Sequence, residues 1–181
     1  GLSNYTSSNW YVDISLSEES EYNLTIWAND SSDNENTKNI SFYVDSLAPR
    51  YSSVSALPSI ANVSQDVNCS INWIDGFNLS SVKISENSSG TFENHTIGSL
   101  ELGGSASYNI VGNKLNGVGS YECRFYAVDS AGNFNSTSVS FSVNDVTVPV
   151  ITVTSPSNAT YNQNYLDVSL IVSENSSWAG Y

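Results

Sequence analysis

The sequence predicts an all-β protein made of tandem β-sandwiches, one complete sandwich flanked by two partial ones. Three observations lead there. First, "SEYNLTIWANDSSDN" at 20–34 returns as "GSYECRFYAVDSAGN" at 119–133, an offset of 99 that pairs Tyr22 with Tyr121, Ala28 with Ala127, Asp30 with Asp129 and Asn34 with Asn133. The match runs on through Ser41/Ser140, Phe42/Phe141 and Val44/Val143, and one inserted residue later Pro49 pairs with Pro149. A period near 100 residues is the size of a whole sandwich domain and too long for a solenoid repeat. Second, the repeated segments alternate with period two: Tyr121, Cys123, Phe125 and Ala127 share one face, as do Tyr22, Leu24, Ile26 and Ala28, and Ile40, Phe42 and Val44. That is the pattern of half-buried strands. Third, turn signals separate the runs at Asp75-Gly76, Gly103-Gly104, Asn116-Gly117 and Ala131-Gly132-Asn133, and no segment carries a helical period.

Taken in order, residues 1–46 read as the C-terminal part of a domain, 47–145 as a complete domain and 146–181 as the N-terminal part of a further one. The complete unit divides into seven strands near 51–57, 66–74, 80–86, 91–97, 105–111, 120–129 and 136–144. The chain starts with Gly1 and lacks Met, so it reads as a processed or excised piece of something longer.

Composition narrows the compartment and the partners. Eighteen acidic residues face five basic ones, Lys38, Arg50, Lys83, Lys114 and Arg124, for a net charge of −13. Nucleic acid and anionic membrane would both repel such a chain. Ser and Thr make up about a quarter of the residues, yet aromatics reach 12%, more than a disordered polar tail carries. No apolar run approaches the length of a membrane span, and no secretory leader pattern opens the chain, so no direct membrane insertion is expected of this segment.

Cys69 in "VNCSINW" and Cys123 in "SYECRFY" fall on the second and sixth strands, both on the inward phase. In a sandwich of the immunoglobulin type those strands face each other across the core and carry the inter-sheet disulfide, and a tyrosine two residues before the second cysteine forms a corner bond. Tyr121 has that spacing. The matching positions in the partial units are Leu24 and approximately Val168, plain apolar residues that suit a core site and not a metal site. Two free buried thiols are the alternative. The tryptophan that antibody-type domains place on the third strand is missing; Trp73 stands four residues after Cys69 instead.

Twelve asparagines open N-x-S/T sequons: Asn4, Asn23, Asn29, Asn39, Asn62, Asn68, Asn78, Asn87, Asn94, Asn135, Asn158 and Asn175. Asn23, Asn39 and Asn68 lie inside expected strands on the outward phase, beside inward Leu24, Ile40 and Cys69. Only an outward face tolerates a glycan. The pattern predicts N-linked glycans and, with the disulfide, export to an oxidising space. An Asn/Ser-rich polar face that meets no glycosyltransferase is the alternative.

Residues able to carry chemistry are few. His95 is the single histidine; it reads as a solvated strand residue, and no Cys/His, Ser/His or zinc set can be assembled around it. Glu18, Glu19 and Glu21 read as a solvated turn, and "LGGSAS" as a hairpin turn. No cofactor is expected, with calcium the one candidate worth carrying: Asp30 and Asp33 in the first unit, and Asp75, Asp129 and Asp145 in or near the second, fall at domain ends where carboxylates of neighbouring units could converge on a hard cation. The competing reading is that Asp30 and Asp129 shape their hairpins by side-chain to backbone bonds.

The stretch "GSYECRFYAVDSAGNFNSTSVSFSVNDVTVPVITVTSPSNATY" resembles the tandem immunoglobulin-like repeats of prokaryotic, especially archaeal, cell-surface proteins. Such repeats end in a Y-x-C/V-x-A-x-D-x-A-G-N strand and hairpin, then an F-x-V-D strand, then a P-x-I-x-V-x-S-P-x-N linker into the next domain. The first unit departs with "SSDN" for "SAGN", which predicts a differently shaped hairpin. The resemblance implies an extracellular, cell-surface, non-enzymatic structural segment of a stalk, filament or surface layer. Its partners would be further domains of the same chain or neighbouring copies head to tail. The alternative is an adhesin or receptor ectodomain gripping glycan or protein, with Trp10, Trp27, Tyr43 and Trp178 as candidate stacking rings.

Overall fold

The computed structural model describes residues 3–4, 10–17 and 19–174. The described residues are all-β apart from one 3-10 turn at Gly112–Lys114. Two compact units emerge, Gly1–Asn144 and Asp145–Tyr181.

In the first unit, two short strands, β1 (Ser3–Asn4) and β2 (Trp10–Tyr11), pair with each other, and β3 (Glu19–Asn29) pairs with β4 (Glu35–Asp45) as a long antiparallel hairpin. The central sandwich follows: β5 (Arg50–Leu57), β6 (Ile60–Asn62), β7 (Val67–Ile74), β8 (Leu79–Glu86), β9 (Glu93–Leu100), β10 (Gly103–Ile110), β11 (Gly119–Asp129) and β12 (Phe134–Asn144). Its strands form a three-stranded sheet ordered β10-β7-β5 and a five-stranded sheet ordered β6-β12-β11-β8-β9. Seven of these eight strands are the expected ones, with shifted ends. The eighth, β6, is three residues long and pairs parallel to β12, too short to show alternation. Gly103 and Gly104 were expected to form a turn but begin β10; the turn is Glu101-Leu102, with Leu102 at φ 52°. A Cβ on Gly103 would collide with the Trp73 carbonyl, so glycine is needed there for the strand pair to close up.

Alternation explains the core. Along β7, Val67, Cys69, Ile71 and Trp73 are buried, and along β11 Cys123, Phe125, Ala127 and Asp129 are. The inward faces of β8 and β12 add Leu79, Val82, Ile84, Phe141 and Val143. Cys69 and Cys123 are bonded, with Cα atoms 6.4 Å apart. Trp73, 1% exposed, fills the core from β7 and meets Tyr51 edge to face at 5.7 Å. The tryptophan payload therefore reaches the core from the second strand instead of the third. Tyr121 Oη donates to Gly117 O at 2.8 Å and its ring stacks on Phe141 at 5.6 Å. The first hairpin repeats this arrangement: Tyr22 Oη donates to Ser17 O at 3.3 Å and its ring stacks on Phe42 at 5.7 Å.

The second unit is a hairpin of β13 (Ile151–Ser155) and β14 (Ser169–Val172). Among the described residues no helix is long and apolar enough to cross a membrane.

Candidate functional site

The most chemically loaded place on the chain is the joint between the β3–β4 hairpin and the central sandwich. It is built from turns. Asp129 Oδ1 accepts the backbone N–H groups of Ala131, Gly132 and Asn133 at 2.7–2.9 Å, and its Oδ2 accepts Asn133 Nδ2 at 2.9 Å. The first hairpin does the same with Asp30, whose Oδ1 accepts Ser32 and Asn34 N–H and whose Oδ2 accepts Asn34 Nδ2. Hydrogen bonds from Asn34 first, then Ser32, hold the Asp30 carboxyl below the usual aspartate value. The two hairpins share this frame and differ in detail: Gly132 N–H goes to Asp129 Oδ1 where Asp33 N–H goes to the Asp30 carbonyl at 3.1 Å, and Asp33 takes φ 63° where Gly132 takes 97°, aspartate being among the few residues that tolerate the left-handed region.

These turns lock the joint. Asn133 Nδ2 also donates to Asp45 O at 3.2 Å, and Asn135 Nδ2 donates to Pro49 O at 2.7 Å. Tyr43 meets Phe77 edge to face at 5.7 Å, and the Glu19 carboxylate lies against Gly76, where any Cβ would collide with it. The linker of Ser46 to Pro49 is thus held from the central sandwich on its flanks.

The joint also gathers charge. Carboxylate oxygens of Asp45, Asp75 and Asp129 lie within 4.8 Å of one another. Asp129 is 1% exposed; Asp45 is half-buried, and its Oδ2 is sealed from solvent with no hydrogen-bond partner. Burial pushes the Asp45 carboxyl above the usual aspartate value, against the Leu47 N–H bond to Oδ1, and repulsion from Asp129, Asp75 and Glu19 pushes the same way. Of the five aspartates singled out for calcium, the structure brings together Asp75 and Asp129. Asp30 and Asp33 stay in their own turn, and Asp145 accepts the Thr147 N–H in the other unit. Asp45 was missed; the F-x-V-D motif that contains it was the available signal.

A second cluster lies where β8, β9 and β10 meet. The fully buried Glu86 carboxylate accepts Ser88 N–H at 2.6 Å and lies 3.4 Å from His95 Nε2 and 3.6 Å from Lys114 Nζ. Lys114 also pairs with Glu93 at 3.0 Å. His95 stacks on Tyr108 with ring centroids 3.6 Å apart. It is therefore a half-buried member of an ion network and not a solvated strand residue. Lys114 already supplies the cation that Glu86 needs, so the set has the chemistry of a satisfied buried charge.

The sequons separate by environment. Asn23, Asn29, Asn39, Asn62, Asn68, Asn78, Asn94 and Asn158 are exposed. Asn87 is half-buried, its Oδ1 accepting Glu122 N–H at 2.7 Å, and Asn135 is half-buried with its amide nitrogen committed to Pro49. Asn175 and the side chain of Asn4 lie outside the described residues. Of the candidate stacking rings, Trp27 and Tyr43 are 64% and 63% exposed, but Trp27 pairs with Thr37, six residues along β4 from Tyr43. That is roughly 20 Å of strand, so the two rings form no shared patch. The Trp10 side chain and Trp178 lie outside the described residues.

No family model matches this chain, and no curated protein matches it. Among solved structures, one similar chain is described as a Ca2+-stabilised adhesin that helps an Antarctic bacterium reach out and bind ice. It is 15% identical with a TM-score of 0.36, and the match covers 76% of this chain and 35% of that one. The chain thus corresponds to about a third of that protein's length.

Proposed function

We propose that this chain is a non-enzymatic, extracellular structural segment: glycosylated immunoglobulin-like domains in series, forming part of a cell-surface stalk, filament or surface layer. The observation that carries this reading is the joint, where side-chain amides of one repeat bind backbone carbonyls leading out of the preceding one. Four residues of linker, held at both ends, favour a semi-rigid rod over beads on a string. The immunoglobulin-like type is supported by the β10-β7-β5 and β6-β12-β11-β8-β9 sheets, the β7–β11 disulfide and the Tyr121 corner bond. Export and glycosylation are supported by the disulfide and by the outward, exposed sequons. Peptide masses of native material, before and after deglycosylation, test this directly. Sugars are expected on the exposed asparagines and none on Asn135 in the folded chain; bare asparagines throughout would overturn the surface-glycoprotein reading.

A second reading concerns the joint alone, and the sealed Asp45 Oδ2 favours it: three carboxylates with an unpartnered buried oxygen suit a hard divalent cation such as calcium. Aspartates 45, 75 and 129 would supply ligands and water the remainder. The sign follows from Asp45. A carboxyl raised in the folded state contributes stability that is present below its unfolded value, about 3.8, and is lost as pH rises through the folded value. At neutral pH the ionised joint therefore costs stability, which calcium would restore. Residual dipolar couplings of the full chain at neutral pH should show β3–β4 and the central sandwich sharing one alignment tensor more closely with calcium than with chelator. Identical couplings in both conditions would remove the cation, and separate tensors in both would remove the rod.

A further inference from the structure

Of the twelve sequons, two have an aromatic residue two positions before the asparagine, Trp27 before Asn29 and Phe92 before Asn94. Residues two apart on a strand share a face. Asn29 ends β3, so its sequon serine, Ser31, already lies in the turn. Asn94 and Thr96 both lie within β9, and Phe92 stands one residue before it. The register runs from Asn94 to Ser85 and from Ser85 to Arg124 across the outer face of the five-stranded sheet. There the Arg124 guanidinium sits 3.7 Å from the centre of the Phe92 ring, and Glu122 holds that guanidinium at 3.1 Å. Phe92 is thereby fixed in place, yet it stays 39% exposed. Asn94 itself stands in the wall of a depression of about 320 Å3 with Lys83, Tyr126 and Phe134, so a group leaving its amide nitrogen has room to lie along the sheet. The opposite face of β9 is fastened, Glu93 to Lys114 at 3.0 Å and His95 stacked on Tyr108.

We infer that the first sugar of a glycan on Asn94 packs its C–H face on the Phe92 ring, beside Thr96, and so becomes part of the packing of the central sandwich. A pyranose carries C–H groups on one face, and laying them on an aromatic ring removes apolar area of both from water. Little ordering is lost in return, because Arg124 already holds the ring and the ion network already holds the strand. Asn68 supplies the contrast. It too is an exposed sequon inside a central strand, but Asp66 stands two positions before it where Asn94 has a ring. The inference rests on the reading of this chain as a glycosylated segment and adds to it what one of the glycans does.

The test is a urea titration of the full chain, secreted by a eukaryotic host and trimmed enzymatically to a single N-acetylglucosamine at each occupied sequon. Asn94→Gln should raise the unfolding equilibrium constant about fivefold, the size of one aromatic contact. The same substitution should have no effect when Phe92→Ala is also present, or in chains made without sugar in the bacterial periplasm. Asn68→Gln in the sugar-bearing chain should have a clearly smaller effect. Equal costs of Asn94→Gln with and without Phe92→Ala would overturn the inference, as would no cost in the sugar-bearing chain or an equal cost from Asn68→Gln. An Asn94 that stays bare in the secreted chain while Asn68 carries sugar would overturn it too. Each of these results leaves the surface-segment reading standing. That reading falls instead, and takes the inference with it, if peptide masses of native material show every asparagine bare.

Discussion

Replacing Cys69 and Cys123 together by alanine should lower the unfolding free energy of the central sandwich by about 4 kcal/mol. The bridge joins residues 54 apart, and closing a loop of that length removes roughly that much chain entropy from the unfolded state. Small domains have about 5–15 kcal/mol in total, so the doubly substituted chain should sit near its unfolding midpoint on modest warming. Urea titration followed by tryptophan fluorescence reads this, because the Trp73 indole is buried in the same core as the bridge in the folded state. A loss under about 1 kcal/mol would mean that the unfolded chain is already restrained over this loop.

The second large effect is expected at Asp129, with Asp30 as an internal control. Both aspartates organise the same turn, but Asp129 is 1% exposed and Asp30 is in solvent. Removing the Asp129 carboxylate orphans four donors, three of them backbone N–H groups, and loosens Asn133 from Asp45 O. Charge-assisted bonds to a buried carboxylate are worth more than neutral ones, so Asp129→Ala should cost about 3 kcal/mol. Relief of repulsion on Asp45 works the other way but is a smaller effect, since burial and not its neighbours' charge is the main thing that raises that carboxyl. Asp30→Ala should cost clearly less, because water can replace its bonds. Equal losses from the two substitutions in the same denaturation experiment would show that burial is not what gives this turn its strength. Asp129→Ala should also abolish any response of the joint to calcium.

Much of the fold was legible because period-two alternation and turn residues act locally. The seven long strands, the inward phase of Cys69 and Cys123 and the Tyr121 corner all follow from nearest-neighbour rules. β6 was not legible, since three residues carry no period and its parallel pairing with β12 depends on tertiary placement. The Gly103-Gly104 pair misled for a related reason: its glycines answer to a close approach of the Trp73 carbonyl from a neighbouring strand, which no local signal announces. At the joint, Asp75 and Asp129 could be singled out as acids at a domain end. Asp45 carried only its place in the F-x-V-D motif, because its burial arises when the Ser46–Pro49 linker folds against the Asn133 turn. His95 was misjudged likewise, as its partners Glu86 and Tyr108 come from two other strands.

The Asn135 side chain has two claimants. In the folded chain its amide nitrogen is spent on Pro49 O, and N-glycosylation would attach sugar to that same atom. One amide hydrogen survives glycosylation, so a sugar and the Pro49 bond can share this nitrogen. A transferase, however, needs the half-buried amide free of the folded joint, so whichever event comes first decides whether the sugar is attached. A sugar at this position marks a chain that met the transferase before its repeats had locked, and a bare asparagine marks one that folded ahead of it. The fraction of Asn135 found glycosylated in mature material is then a clock, recording how biosynthesis and folding raced at this one residue.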